Sequence, residues 1–517
     1  MTAAPKSSTA TGARAAVAKA AGKAAAASTT TARKTTAVKP APAKKAAPTK
    51  AAAAKAAPAK TASPAKSPAR KPSAAKAPAT KTAAKTPAAK AAPARVQQPP
   101  RFTVFTPSHN PQYLGDCLDG LLAQTAQDWQ WVVYLNGGAE WTPPVNDPRI
   151  TIASTEASLG VGAAKGRACA LATGTYLVEL DHDDVLLPTA LEKIAEAFEG
   201  APAASLVYSQ CAMMRADGSR EETRYRDGIG WDYRDVVVGD RVLQYPVAFL
   251  PTPHNVSYIW YAPNHVRAFR RQAYEEVGGY DASRDILDDQ DMMSRLYQWG
   301  DFVLIDECLY LQRMHASNTQ HDSVLNARIQ SETIDLYARY FQGNAAAWAR
   351  RQGLLCLDMG AAHNRAPGFL GVDQFEGAGV DIVATLPGRM DLPDGSVGVI
   401  RAFDFFEHVS DKIGLINELY RLLAPGGILI SRTPSTDGRG AFQDPTHCAF
   451  YNENSFWYYT DQNLRQYIAG LDVRFQVSRL TTFFPSPWHQ QHNISYVDAF
   501  LIKLPDGGPR NAGPITV

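Results

Sequence analysis

From Arg101 onward the chain alternates short apolar runs with stretches of helical periodicity. Phe102-Thr103-Val104-Phe105-Thr106-Pro107 reads as a buried strand, and Tyr113, Leu114, Cys117, Leu118, Leu121 and Leu122 then recur at helical spacing. A second strand is predicted at Trp131-Val132-Val133-Tyr134-Leu135, stopped by Asn136-Gly137-Gly138, and a short one at Arg149-Ile150-Thr151-Ile152. A helix from Gly162 to Ala172 leads to the strand Tyr176-Leu177-Val178-Glu179-Leu180. Strand and helix in alternation predict an α/β fold with a mostly parallel, doubly wound sheet, whose ligands gather at the carboxyl ends of its strands.

Residues 205–260 read as short strands and a long connection, and a helix over 269–277 ends at Gly278-Gly279-Tyr280. An amphipathic helix with Met292, Met293, Leu296 and Tyr297 follows the acidic segment Asp285 to Asp291. The strand Phe302-Val303-Leu304-Ile305 then leads to Tyr310-Leu311-Gln312-Arg313-Met314-His315, and the unit closes near residue 345. A second α/β unit opens at Leu354-Leu355-Cys356-Leu357-Asp358-Met359-Gly360. Its further elements are Gly371-Val372-Asp373, a strand at Val397-Gly398-Val399-Ile400, a helix at 411–423 and a strand at Ile428-Leu429-Ile430. An aromatic-rich stretch from Phe450 to Tyr459 ends it and reads as core.

Composition divides the chain differently. Residues 1–100 are almost entirely Ala, Lys, Pro, Thr and Ser, with 20 Lys plus Arg and no Asp or Glu. The overall net charge of +3 therefore conceals a basic arm on a body with 33 basic and 50 acidic residues, a net −17. An arm with so little apolar surface cannot offset the entropy of ordering its backbone, and disorder is expected over 1–100. Its lysine and alanine repeats resemble the tails of linker-histone-like bacterial proteins. They suit an electrostatic tether to nucleic acid, another polyanion or the acidic body, or else a solvated extension that binds nothing tightly. No run reaches the roughly 18 apolar residues of a membrane span. Six widely spaced cysteines without metal-ligand spacing make a reducing, cytoplasmic setting the default expectation, with a peripheral place at the inner face of the membrane as its variant.

The candidate chemistry starts where the strand at 176–180 runs into Asp181-His182-Asp183-Asp184. Carboxylates clustered at a strand's carboxyl end can hold a divalent cation, or can merely cap the helix that begins near Pro188. A wider pattern bears on the choice. Thr106-Pro107-Ser108-His109-Asn110, Gly160-Val161-Gly162-Ala163-Ala164-Lys165-Gly166, Ala172-Thr173-Gly174, the acidic strand end, Val277-Gly278-Gly279-Tyr280 and Asp288-Asp289-Gln290-Asp291 stand in one order over some 220 residues. In that order residues 102–320 resemble the family-two inverting glycosyltransferases of GT-A fold. The resemblance implies a nucleotide-sugar donor and Mn²⁺ or Mg²⁺ held by Asp183 and His315, with Asp181 facing the ribose or the metal's water shell. It makes Asp289 the catalytic base, against the alternative that Asp288, Asp289 and Asp291 only favour a helix N-terminus. Thr106, Pro107, His109, Asn136 and Lys165 would line the nucleotide. Asn136 stands where relatives usually carry a carboxylate pair, so the donor need not be a uridine nucleotide. Acceptor contacts are expected from His254 to Arg271, including Trp260, Tyr261, His265 and Arg267, or else those aromatics pack a hairpin.

Residues 354–433 resemble a small class I S-adenosylmethionine-dependent methyltransferase, through Leu357-Asp358-Met359-Gly360, Asp373, Asp391-Leu392-Pro393-Asp394-Gly395-Ser396, Phe406-Glu407-His408-Val409 and Leu422-Leu423-Ala424-Pro425-Gly426-Gly427. The resemblance implies a Rossmann-like domain binding S-adenosylmethionine through Gly360, Asp373, Asp391 and Leu392. The loop Gly360-Ala361-Ala362-His363 departs from it, since methyl groups crowd a backbone that usually approaches the cofactor, and 13 positions from Gly360 to Asp373 leave little room for a helix. Asp444 and His447 can approach a sugar hydroxyl or simply order their loop. The expected organisation is a basic tail over 1–100, a glycosyltransferase domain over 101–345 and a methyltransferase-like domain over 350–505. The expected function is sugar transfer to a glycan or lipid-linked glycan acceptor, coupled to methylation. The alternatives are a methyltransferase with a glycan-binding first domain, and a non-enzymatic nucleic-acid-associated protein.

Overall fold

The computed structural model describes residues 99–225, 228–258, 263–315, 323–505 and 511–513. The basic arm to residue 98, and Trp260 and Tyr261 among the expected acceptor contacts, lie outside the described residues.

The first sheet contains ten strands. They are β1 (Phe102–Ser108), β2 (Trp129–Leu135), β3 (Ile150–Ser154), β4 (Tyr176–Glu179), β5 (Val185–Leu186), β6 (Ala204–Arg215), β7 (Tyr233–Val238), β8 (Arg241–Pro246), β9 (Arg267–Arg270) and β10 (Asp301–Met314). The main path runs β3-β2-β1-β4-β9-β6-β10-β5, with the β7–β8 hairpin attached to β6. The strands β3, β2, β1 and β4 are parallel, and β9 inserts antiparallel between β4 and β6. Helices α1 (Leu114–Leu122), α2 (Val161–Cys169) and α3 (Ala190–Gly200) provide the crossovers. The near-continuous apolar runs of β1 and β2 are buried because both faces of this parallel layer are covered.

Two readings of the sequence change. Residues 267–270 form the antiparallel strand β9 rather than the start of a helix, because Arg267-Ala268-Phe269 pairs with both β4 and β6. The stretch 205–215 is one long buried strand, not several short ones. Helix α4 (Asp288–Trp299) is entered through Leu287 in the left-handed region at φ 56°. That conformation costs about 1–2 kcal/mol for a residue with a Cβ. It is held by an apolar cluster of Ile286, Leu287 and Leu336.

Leu336 belongs to α5 (Ser323–Arg351), a 29-residue helix that runs past the expected boundary near 345. Its Tyr337, Phe341, Ala345, Ala346 and Ala349 pack on Cys356, Val399, Ile428, Ile430, Phe500 and Ile502 of a second sheet, so one helix serves two cores. That sheet comprises β11 (Leu355–Met359), β12 (Leu370–Asp373), β13 (Ile382–Val383), β14 (Val397–Phe403), β15 (Leu423–Pro434), β16 (Phe475–Phe483) and β17 (Tyr496–Lys503). Its order is β13-β12-β11-β14-β15-β17-β16, parallel except for β17. Helix α6 (Lys412–Leu422) carries the β14 to β15 crossover, its first turn capped by the Asp411 carboxylate accepting from Gly414 N–H at 2.8 Å. No helix joins β11 to β12, as the short spacing requires. Among the described residues no helix is long and apolar enough to cross a membrane.

Candidate functional site

The acidic strand end lies where the parallel order places it, at the carboxyl edge of β4 beside the end of β1. The His182 ring meets His109 edge-on at 4.9 Å between centroids, and half-buried Pro107 touches His182 through its backbone. Asp183 Oδ2 lies 2.8 Å from His315 Nε2, just beyond the end of β10. Two ligands at right angles on an octahedral ion with bonds of about 2.1 Å sit about 3 Å apart, so this pair fits a Mg²⁺- or Mn²⁺-like cation. Asp184 serves the backbone instead: its buried carboxylate accepts from Arg313 N–H at 2.7 Å. Burial pushes the Asp184 carboxyl up. Arg313 locks the same turn by donating to the Asp183 carbonyl at 2.8 Å and to Asp116 at 2.6 Å. A cavity of about 640 Å³ opens beside His315, lined by Met213, Arg215, Asp217, Glu221, Thr223 and Tyr225. That volume is in the range of small-ligand sites.

Beneath the edge runs a buried ion network. Lys165 of α2 reaches Glu179 Oε1 at 2.6 Å and Asp288 Oδ2 at 2.9 Å. Arg267 of β9 reaches Glu179 Oε2 at 3.3 Å and donates to Asp289 Oδ2 at 2.8 Å. Burial alone would raise Glu179, but Arg267 and Lys165 outweigh it and pull its carboxyl down to about 2. Burial likewise opposes charge on Lys165, and Asp288 and Glu179 hold its ammonium above its ordinary range. Asp181 goes the other way: burial, with Glu179 and Asp183 adding and Lys165 opposing, pushes it up to about 7. His265 stacks on Tyr310 and accepts from Arg267 at 2.6 Å, while burial and the guanidinium hold its ring well below the usual imidazole range. Asp289 keeps its second oxygen on Gln290 N–H at 2.8 Å. A carboxylate offers about four acceptor positions, so this aspartate retains capacity for a substrate hydroxyl.

The structure therefore uses several expected nucleotide or acceptor contacts otherwise. Lys165 is 6 % exposed and engaged by two carboxylates rather than directed at a base. The Asn136 amide closes on the Leu159 backbone through both ends at 2.9 Å, pinning the loop before α2. Thr106 is buried, its hydroxyl accepting from Trp131 Nε1 at 3.0 Å. His265 and Arg267 are buried in the network, and His254 bonds Ser478 of the second sheet and the Ala512 carbonyl. Only His109 of the nucleotide set is openly exposed. Glu179, Arg313 and Tyr310 were missed by sequence reasoning, although a glutamate inside the apolar run 176–180 is itself the signal, since a strand interior hosts a charge only with a partner.

In the second sheet Gly360 ends β11 at φ 69°, where an added Cβ would meet the Phe405 ring at 3.0 Å. Asp373 is half-exposed at the end of β12, its carboxylate accepting from Ala362 N–H at 3.3 Å and Phe375 N–H at 3.1 Å. Asp391 is exposed, and the carbonyl of half-buried Leu392 accepts from Arg421 at 2.9 Å. A ribose diol can share the Asp373 oxygens, so the strand-end acid fits S-adenosylmethionine. The loop fits less well, because Gly360 and Ala361 N–H bond the Val372 carbonyl and the Ala362 carbonyl accepts from Gly379. The expected sugar-facing pair takes a distinct form: Asp444 accepts from Thr446, while His447 lies edge-on to His408 at 5.1 Å.

Comparison with known proteins agrees with both halves. Residues 103–278 match the family model described as glycosyl transferase family 2, and residues 326–473 match one described as a methyltransferase domain. Hyaluronan synthase of Pasteurella multocida is 24 % identical over 259 residues, 47 % of this chain and 24 % of its own. A probable S-adenosylmethionine-dependent methyltransferase of Mycolicibacterium smegmatis is 35 % identical over 63 residues, 11 % of this chain and 24 % of its own. The crystal structure of S. aureus TarS residues 1–349 superposes with a TM-score of 0.35 at 13 % identity, covering 49 % of this chain and 71 % of that one. The chain spans about a quarter of the length of the curated relatives it matches first.

Proposed function

We propose that this chain, which carries a family 2 glycosyltransferase domain over 103–278 and a methyltransferase domain over 326–473, moves a sugar with inversion from a nucleotide-sugar to a hydroxyl of a glycan or lipid-linked glycan. One observation carries the reading: the Asp183–His315 pair stands at the sheet edge where Arg267 of β9 holds Asp289 at the start of α4. In the proposed reaction Asp289 takes the acceptor proton as the hydroxyl oxygen bonds the anomeric carbon. The bond from that carbon to the diphosphate breaks on the opposite face. A divalent cation on Asp183 and His315 would supply charge to stabilise the departing diphosphate. Arg267 positions the base, and Arg313 fixes the turn that presents Asp183. The cavity beside His315 suits a sugar ring.

The methyltransferase domain would act on the same class of acceptor, with Gly360, Asp373, Asp391 and Leu392 toward the cofactor. Bound S-adenosylmethionine would supply an electrophilic methyl group. The internally bonded loop at 360–362 favours a second reading of this domain as an acceptor-binding scaffold. We place the junction of the two domains within α5, and assign the arm over 1–100 to tethering on nucleic acid or another polyanion.

The test is transfer or donor hydrolysis with and without Mn²⁺ or Mg²⁺. Asp183→Ala should abolish the metal response. Asp289→Asn should lower kcat by about 10²–10⁴ with donor binding retained. Metal-independent turnover, or turnover untouched by both changes, would reject the reading. Calorimetry with S-adenosylmethionine should show binding that Asp373→Ala weakens, and no binding at millimolar cofactor would leave the scaffold. DNA binding by the arm should fall steeply with salt.

A further inference from the structure

A second side-chain cluster stands apart from the acidic edge of the first sheet. Glu407, His408 and His447 each present a ligand atom, and these three atoms lie within 4.8 Å of one another. Glu407 and His408 occupy the turn Phe406–His408 that follows β14 at its carboxyl end. His447 comes from the loop after β15, and its neighbours bond back across the gap: Cys448 and Ala449 N–H both donate to the Glu407 carbonyl, at 2.9 and 3.0 Å. Two imidazoles and a carboxylate with positions left open are a donor set for Zn²⁺ and its first-row neighbours.

The surrounding hydrogen bonds give the independent indication. His447 Nδ1 lies 2.9 Å from the Ala441 carbonyl, which can only accept, so Nδ1 carries the proton and Nε2 keeps its lone pair. Thr446 Oγ1 donates to the Asp444 carboxylate at 2.6 Å, so the same hydroxyl must accept from His408 Nδ1 at 3.2 Å. His408 therefore also presents a bare Nε2. Glu407 is buried, and its Oε2 accepts from Thr433 Oγ1 at 2.7 Å, leaving the other oxygen for the cluster. Metal-bound histidines almost always donate their second nitrogen to a carbonyl or, directly or by relay, to a carboxylate, which fixes the tautomer and raises ligand basicity. Here one histidine shows the first arrangement and the other shows the second.

We propose that Glu407, His408 and His447 form a divalent-cation site in the methyltransferase domain, whose open positions take water or a hydroxyl of the acceptor. A tetrahedral ion with bonds of about 2.0–2.1 Å sets its ligands about 3.4 Å apart, so atoms at the 4.8 Å limit of the cluster must close by about 1.4 Å. His408 is exposed, and rotation of its side chain about the Thr446 contact can supply part of that movement. A cation there would acidify a bound hydroxyl, as bound Zn²⁺ does water. The site stands whether or not the first domain binds a metal, and residues 1–100 contain no His, Cys, Asp or Glu to compete for it.

The test measures Zn²⁺ and Co²⁺ binding to the full chain carrying Asp183→Ala and His315→Ala, which silences the other candidate site. One equivalent of Co²⁺ should bind and give the visible absorption of low-coordinate cobalt. Adding His408→Ala or His447→Ala should weaken it at least 100-fold with the thermal midpoint unchanged. Thr446→Val, which removes no ligand, should weaken binding about 10–100-fold by releasing the His408 tautomer. Cys448→Ser should leave binding intact. Absence of a bound equivalent, or binding indifferent to both histidine changes, overturns the proposal.

Discussion

Lys165→Met separates the two roles open to the lysine of α2. Methionine keeps the unbranched stem and removes the charge, leaving Asp288 without the cation 2.9 Å away and Glu179 with Arg267 alone. At an effective dielectric near 20, charges 2.6–2.9 Å apart attract by about 6 kcal/mol, and relief of the lysine's own desolvation offsets much of that loss. Removing one partner of a buried pair nets about 3–5 kcal/mol of destabilisation. At about 2–4 °C per kcal/mol for a domain of this size, the melting midpoint of the first domain should drop by about 6–20 °C. Scanning calorimetry of the full chain reads the midpoint, and donor titration reads KM in parallel. Adding Asp288→Asn should recover part of the loss, because the two groups share one interaction and their effects cannot add. An unchanged midpoint with a raised donor KM would refute the network argument and return Lys165 to the nucleotide.

Other outcomes follow from the same geometry. Asp184→Ala leaves the Arg313 amide without its acceptor, so it should cost about 1–3 kcal/mol by thermal melting while the Mn²⁺ response persists; loss of that response would make Asp184 a ligand. Glu179 has its folded pKa drawn from 4.5 to about 2, so its contribution is complete above about pH 4.5 and lost as pH falls toward 2. That contribution is on the order of 3 kcal/mol, and Glu179→Gln should flatten the acid limb of a midpoint-against-pH curve. Gly371→Ala would drive a methyl into the Gly379 carbonyl oxygen, and near-UV circular dichroism should show the second domain loosened. A 350–505 fragment lacks most of α5 and bares Val399, Ile428, Ile430 and Phe500, so it should bind hydrophobic dye where 323–505 does not.

The order of elements was legible because β1, β2 and β4 are near-continuous apolar runs, and such runs mark buried parallel strands. The strand ends that bear chemistry were legible for the same reason, since a carboxylate immediately after an apolar run falls on the sheet edge. Which way each side chain is committed was not. Lys165, Asn136 and Arg267 have the chemistry of ligand contacts, yet partners supplied by segments 14 to 123 residues away in the chain engage them inside the fold. Spacing along a chain does not report such long-range pairing. The strands β16 and β17 went unread because Arg479, Asp498 and Lys503 interrupt their apolar pattern; Asp498 is buried against Arg432 at 2.7 Å, a pairing only the folded sheet creates.

Helix α5 shows the same limit at larger scale. Its periodicity is blurred because it buries two stripes at once, Leu336 toward the α4 entry and Tyr337, Phe341 and Ala345 toward the second sheet. A helix with one apolar face declares itself, whereas one with two reads as neither amphipathic nor fully buried. The ambiguity has a functional counterpart. Asp291, two residues after the proposed base, accepts from Tyr340 of α5 at 2.7 Å, and Tyr337, three residues earlier in α5, lies 2.5 Å from Ser478 in β16. The helix carrying the base is thus fixed to the helix that completes the second core. A shift of the methyltransferase sheet along α5 would therefore be felt at Asp289 through Asp291, since the two proposed activities share one continuous helix.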